Sequence, residues 1–435
     1  MKHCLWIVLI GFSILRTEAQ TNTERSLSLI GKLERGQYDS CQTMFDTVVS
    51  NKINADMMRQ IWESLPRYMG EYKSYGEIST TKKDSTESVI IRCLFEKTKM
   101  DLHLTFNQQQ KIIGIFFLPP KSSATYNVPD YYQAHKLYES KVTLKSGKYE
   151  LPGILCMPNN SKNPPVAILL AGSGPNDKDE TVGPNKLLKD LALGLASKGV
   201  ASFRYDKRTL TYGKEMAAQN SMGIREEVID DALSAIAMIR ANPLTKNSKV
   251  YVIGHSLGAM CAPWIASKGK ADGVVLLAGN ARPLEDLIVD QYQYLYGTEK
   301  SDNADPEVKA IREKASLVKD KQKLNTANPE ELPLGLPAPY WQSLASYHQT
   351  EVARKLKQPV LVLQGERDYQ VTMTEFELWK KALGGQAKNK FISYPALNHL
   401  LMKGEGKSMP SEYEQPNHVD EAVINDIVEW INTRP

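Results

Sequence analysis

From residue 249 the chain reads KVYVIGHSLGAMCAPWIAS, and Gly254-His255-Ser256-Leu257-Gly258 sets a serine between two glycines. Five strand-forming residues precede the motif and a helical pattern follows it. A strand, a sharp turn and a helix in that order push the serine hydroxyl out at the tip of the turn, where it can attack an acyl carbon. That hydroxyl is almost wholly protonated at neutral pH. A base must take its proton, and a carboxylate must orient the base. The plainer alternative for Ser256 is a helix N-cap.

Of the seven histidines, His399 is the best-placed base. It lies in YPALNHLLM, after the last strand-like run and at the edge where loops of a parallel sheet gather; His418, which opens the closing helix, is the runner-up. Asp368, in PVLVLQGERDYQV, stands ahead of it and gives the order serine, acid, histidine expected of such an architecture. Glu366 is the alternative acid. An alkoxide forming on the acyl group needs two preorganised donors. One is the Leu257 amide; the other comes from Gly172-Ser173-Gly174, with the Ser173 amide first and Gly174 second, because the glycines let backbone approach a ligand closely. This glycine-rich stretch has neither the GxxxxGK[ST] nor the GxGxxG spacing, so nucleotide binding is not expected. No cofactor or metal site is read from the sequence.

These residues must be held by something. Apolar runs at PPVAILLAG, GVASFRYD, SKVYVIGHS, ADGVVLLAG, QPVLVLQGE and NKFISYPA alternate with helical segments, which predicts a mostly parallel, doubly wound α/β sheet over 137–435. Between about 281 and 357 no buried strand is legible, but EDLIVDQYQYLY and DPEVKAIREKASLVKD are helical. A structureless loop of that length is implausible in a compact domain, so a helical cap is expected. Its Tyr340, Trp341 and Tyr347 are candidates to line an acyl pocket, against the ordinary role of aromatics as core.

Residues 20–120 form a second region. Tyr38, Cys41, Phe45, Val48 and Val49, then Met57, Ile61 and Leu65, repeat at helical steps, predicting two helices. SVIIRCLFEK, MDLHLTFNQ and KIIGIFFLPP predict antiparallel strands, with Phe116 and Phe117 in the core. A small α+β domain follows, joined by a linker at 121–136.

The composition, 42% apolar and 24% charged, is that of a globular chain. Its net charge of +4 is dispersed, so neither nucleic acid nor an anionic membrane is an expected partner. The start, MKHCLWIVLIGFSILRTEAQ, has the basic, apolar and small-residue layout of a signal peptide cleaved near Ala19. This points to export to the periplasm or beyond, with no later membrane span. Cys41, Cys93, Cys156 and Cys261 would remain; a bridge between Cys41 and Cys93 is open on spacing alone.

Taken together, AGSGPNDKDE, FRYDKRT, GHSLGA, LQGERDYQV and LNHLL resemble the α/β-hydrolase superfamily, in particular secreted bacterial serine esterases related to dienelactone hydrolases and to acyl-peptidase catalytic domains. The likeness covers about 137–435. It implies an α/β-hydrolase fold with a helical cap and a small-molecule ester substrate. It makes Ser256 the nucleophile, Asp368 the acid and His399 the base, with Ser173 and Leu257 giving oxyanion amides. Ala171 stands where those esterases carry histidine, and Thr209 where they carry glycine. Acyl-peptidase or acyltransferase activity on the same triad, or a noncatalytic ligand binder keeping the fold, are the alternatives. Residues 36–117 resemble a small domain of unknown function that precedes such hydrolases.

Overall fold

The computed structural model describes residues 20–118, 125–219, 222–297 and 305–433. The signal-like start lies outside the described residues. The chain divides into two compact units, up to residue 121 and from 122 onward.

In the first unit, strands β1 (Tyr72–Lys83), β2 (Thr86–Phe95), β3 (Lys99–Phe106) and β4 (Ile112–Leu118) form an antiparallel meander in sequence order. Side chains alternate across a strand, so Val89, Ile91, Cys93 and Phe95 of β2 face inward with Leu102, Leu104 and Phe106 of β3. Leu29, Leu33, Cys41, Phe45 and Trp62 from the helical side complete this core. The helix Asn22–Glu34 is an element the periodicity reading did not take up, although Thr21 and Glu24 close a capping box at its start. The region expected to hold two helices holds Tyr38–Gln42, Thr47–Ser50 and Ala55–Met69. One core assignment is corrected. Phe117 pairs with Leu102 on the inner face, whereas Phe116 pairs with His103, points to the other face and is 61% exposed. Cys41 and Cys93 are both free, buried thiols. Burial pushes Cys41 up to about 11 and Cys93 up to about 12, so both stay protonated.

The second unit is built on β5 (Leu137–Ser146), β6 (Tyr149–Pro158), β7 (Val166–Leu170), β10 (Ala201–Tyr205), β11 (Val250–His255), β12 (Gly273–Leu277), β13 (Val360–Gly365) and β14 (Lys390–Tyr394). Two short strands, β8 (Thr181–Val182) and β9 (Asn185–Lys186), pair separately. The main sheet runs β14-β13-β12-β11-β7-β10-β6-β5, parallel from β14 to β10 and antiparallel for β6 and β5. Strands β7, β10, β11, β12 and β13 are buried at every position, and β7, β11, β12 and β13 accordingly read as near-continuous apolar runs, whereas β10 keeps the buried Ser202 and Arg204, the latter paired with Asp179. Val250 and Val252 belong to the core on one face, with the helices Asp230–Ala241 and Leu257–Gly269. Tyr251 and Ile253 belong to the other, with Leu187–Ser197 and Glu421–Asn432.

Within residues 281–357 the helices Leu284–Tyr296, Pro306–Lys319, Lys321–Leu324, Ala338–Ala345 and Gln349–Arg354 are present. Residues 125–136, expected as linker, are fastened to this second unit. Tyr126 donates to Asp190 (2.7 Å), Tyr131 donates to the Val419 carbonyl (2.9 Å), and the Gln133 amide donates to Ser197 Oγ (3.0 Å).

Candidate active site

Ser256 follows the last residue of β11 and precedes the Leu257–Gly269 helix. Its φ of 51° and ψ of −116° form a strained turn, uncommon for a non-glycine residue and frequent at functional sites. The flanking glycines make the turn possible. A Cβ on Gly254 would lie 2.3 Å from the Gly258 carbonyl, and one on Gly258 would lie 2.5 Å from the Leu170 carbonyl oxygen. The close approach of the helix to β11 at Gly254, and of β7 to the helix at Gly258, excludes a side chain at either place.

Asp368 sits on the loop after β13 and His399 on the loop after β14, two neighbouring parallel strands that deliver both to the same sheet edge. His399 Nδ1 is 2.7 Å from Asp368 Oδ2. The other carboxylate oxygen accepts the Gln370 and Val371 amides at 2.8 and 2.9 Å, and Gln364 Nε2 donates to Oδ2 at 3.1 Å. With its oxygens met by these donors, the buried Asp368 is fixed in place as the acceptor that orients His399. Its partner is therefore Nδ1–H of His399, which leaves Nε2 as the basic nitrogen. Among the described residues Nε2 makes no hydrogen bond, and none joins it to Ser256 Oγ. In proteins without bound substrate, catalytic contacts are often long. The two loops nevertheless meet, because His255, next to Ser256, reaches the His399 backbone carbonyl at 3.0 Å and the two imidazole rings lie 4.6 Å apart.

The alternative residues are occupied elsewhere. Glu366 is exposed and accepts from Ser393 (2.8 Å). His418 Nδ1 pairs with Asp190 (3.1 Å), which also takes the Val419 amide and fixes the chain ahead of the closing helix.

In the loop after β7 the candidate amides are not equally available. Gly172 is packed against the elbow: a Cβ there would come within 3.2 Å of Ser256 Cβ. The Gly174 N–H is already donated to Glu227 Oε1 at 3.2 Å, so it is withdrawn as an oxyanion donor. The Ser173 and Leu257 amides have no acceptor among the described residues. Both fit the role of free donors beside the serine, Leu257 at a helix N-terminus where the dipole favours developing negative charge.

The cap aromatics are also revised. Trp341 is wholly buried and Tyr340 is 2% exposed, so neither offers a face to a ligand. Tyr340 donates its hydroxyl to Glu227 Oε2 at 2.5 Å, a contact that with burial raises its pKa far above the usual phenol value. Tyr347, whose hydroxyl donates to the Met260 carbonyl at 2.8 Å, borders a cleft of about 310 Å³ together with Met260, Leu284, Leu344 and His348. Met260 lies one helical turn beyond Ser256.

Charged residues outside the expected triad also shape this loop. Lys207 is buried, donates to the Gly172 carbonyl at 2.8 Å and pairs with Glu227 at 2.5 Å. Glu180 Oε1 accepts the Gly172 amide at 2.7 Å and faces His255 Nδ1 at 2.8 Å. The two segments AGSGPNDKDE and FRYDKRT thus prove to be halves of one lattice. Asp179 pairs with Arg204 (2.9 Å) and Lys178 with Asp206 (3.2 Å), while Glu180 and Lys207 hold Gly172 from opposite ends of its peptide units. Charged side chains placed at the end of a buried strand, as in FRYDKRT, were the available signal. Among the described residues no group of three or more His, Cys, Asp or Glu is arranged to hold a metal, and no helix is long and apolar enough to cross a membrane.

Comparison with known proteins agrees with this architecture. Residues 185–406 match the hydrolase family described as serine aminopeptidase, S33, and residues 26–115 match a protein family of unknown function, DUF3887. The chain is 34% identical over 408 residues to esterase EstD of Thermotoga maritima, covering 94% of this chain and 95% of that protein. Among solved structures, Est1E from Butyrivibrio proteoclasticus with bound ferulic acid is 16% identical with a TM-score of 0.46, over 67% of this chain and 100% of that one. A dienelactone hydrolase from Anabaena variabilis is 19% identical with a TM-score of 0.39, over 68% and 98%. The chain belongs to the α/β-hydrolase superfamily and, within it, to the carboxylesterases related to esterase EstD.

Proposed function

We propose that the chain is an exported hydrolase of small carboxylic esters that works through an acyl-enzyme on Ser256. His399 Nε2 takes the hydroxyl proton as Ser256 Oγ bonds to the acyl carbon, and the carbonyl electron pair moves to oxygen. The Ser173 and Leu257 amides stabilise that oxyanion. As the tetrahedral intermediate collapses, the alcohol leaves with the proton from the imidazolium, which Asp368 holds in orientation. Water, deprotonated by the same imidazole, then attacks the acyl group and restores the serine. The observation that carries this reading is the His399–Asp368 contact of 2.7 Å, with the second imidazole nitrogen unspent beside a strained serine turn. Export rests on the layout of the first nineteen residues, and the acyl pocket is assigned to the cleft bordered by Met260 and Tyr347.

A fluorophosphonate probe tests the assignment. Labelling should occur on the wild-type protein and disappear in Ser256→Ala; a folded protein that the probe ignores would instead be a binder that keeps the fold. The matched family's description names an aminopeptidase, so each ester in an acyl-length series is paired with its amide analogue. Faster turnover of the amides would replace the esterase reading with peptidase activity.

A further inference from the structure

Glu180 and His255 lie outside the proposed triad, yet they connect three of its parts. Glu180 Oε1 accepts the amide of Gly172, the residue packed on Ser256 Cβ, and also faces His255 Nδ1. His255 Nε2 reaches the backbone carbonyl of His399 at 3.0 Å. A carbonyl can only accept, so Nε2 carries hydrogen. Oε1 also accepts the Gly172 amide; with Glu180 ionised, Nδ1 donates the second bond and the ring is an imidazolium between two acceptors.

The site bears two costs that packing does not explain. Glu180 has a left-handed φ of 50°, and its Oε2 is buried with no partner among the described residues. Strain and an unmet buried oxygen at one residue mark a place where function sets the structure. Resting on the reading above, we propose that Glu180 and His255 are positioning residues: a buried carboxylate–imidazolium bracket that fixes the oxyanion loop, through Gly172, at a set distance from the His399 loop. Electrostatics agree. Burial would raise Glu180 and lower His255, but the charge of each on the other and the hydrogen bonds both make together outweigh it, so Glu180 is shifted down and His255 up.

The role separates from simple packing by two measurements on the full chain. Nitrogen-15 NMR of histidine-labelled protein should show, at neutral pH, a ring with both nitrogens protonated that is absent from His255→Gln. A His255 found as a single neutral tautomer overturns the bracket. Glu180→Gln keeps the shape and the acceptor but removes the charge; a misplaced oxyanion loop should lower kcat on the order of tenfold to a hundredfold, with KM within about twofold. Unchanged kcat in a folded variant, or a loss confined to KM or to the melting temperature, overturns it too. If Glu180→Gln does not fold, the NMR result and the kcat of His255→Gln decide. Ser256→Ala run in parallel separates the two levels. Retained turnover there sinks the triad itself, whereas an inert Ser256→Ala beside a fully active Glu180→Gln sinks only the bracket.

Discussion

Two buried imidazole–carboxylate pairs lie side by side in the second unit, His399 with Asp368 and His255 with Glu180, at 2.7 and 2.8 Å. They are chemically alike and are used in opposite ways. His255 spends both ring nitrogens, on Glu180 and on the His399 carbonyl, and so has nothing left to exchange with a substrate. His399 spends one and keeps Nε2 beside the serine turn. A carboxylate partner does not by itself make a histidine a base; in the proposed triad that role falls to the imidazole with an uncommitted nitrogen.

Breaking each pair should therefore fail differently. Asp368→Asn would leave the fold and lower kcat/KM by about 10⁴-fold, since the imidazole loses its orienting charge, as ester kinetics beside a melting curve would show. His255→Ala would strand the buried Glu180 charge and cost about 3–5 kcal/mol of stability, measured by denaturant titration. A smaller effect is expected where the cap reaches the proposed oxyanion loop through Glu227. Tyr340→Phe removes the donor to Glu227 Oε2, costing about 1–3 kcal/mol of stability; because Glu227 also holds the Gly174 amide, kcat should fall before KM rises.

A third pair, His418 with Asp190, sharpens the contrast because its imidazole is only partly buried. The hydrogen bond to Asp190 raises the His418 pKa, with burial opposing. A raised imidazole contributes stability that is fully present below its unfolded value of about 6.5 and is lost as pH rises through the folded value. The melting-temperature gap between wild type and His418→Gln should accordingly be widest on the acid side and close above neutrality.

The sequence is most informative where one physical requirement admits few residue types. Gly254 and Gly258 are forced by a backbone approach that any Cβ would block, and the apolar runs of β7 and β11 through β13 are forced by burial on both faces. The order of Ser256, Asp368 and His399 follows from strands delivering them to one edge. Other features are set by partners distant in the chain. Nothing local tells that Gly174 donates to Glu227, fifty-three residues on, or that Tyr340 turns into the core to meet the same carboxylate. Strand β1 is exposed along most of its length, so it carries no alternation to detect. Phe116 and Phe117 show the reverse difficulty: adjacent aromatics look alike, and a period of two sends them to opposite faces.

The most direct test of the account is ester turnover by Ser256→Ala, assayed with short p-nitrophenyl esters on protein whose melting curve matches the wild type. The account expects turnover to fall to the rate without enzyme or within about 10⁴-fold of it, the residue that binding and an intact oxyanion hole can supply. Hydrolysis by the variant at a rate near that of the wild type would contradict it, because the attacking atom would then lie elsewhere.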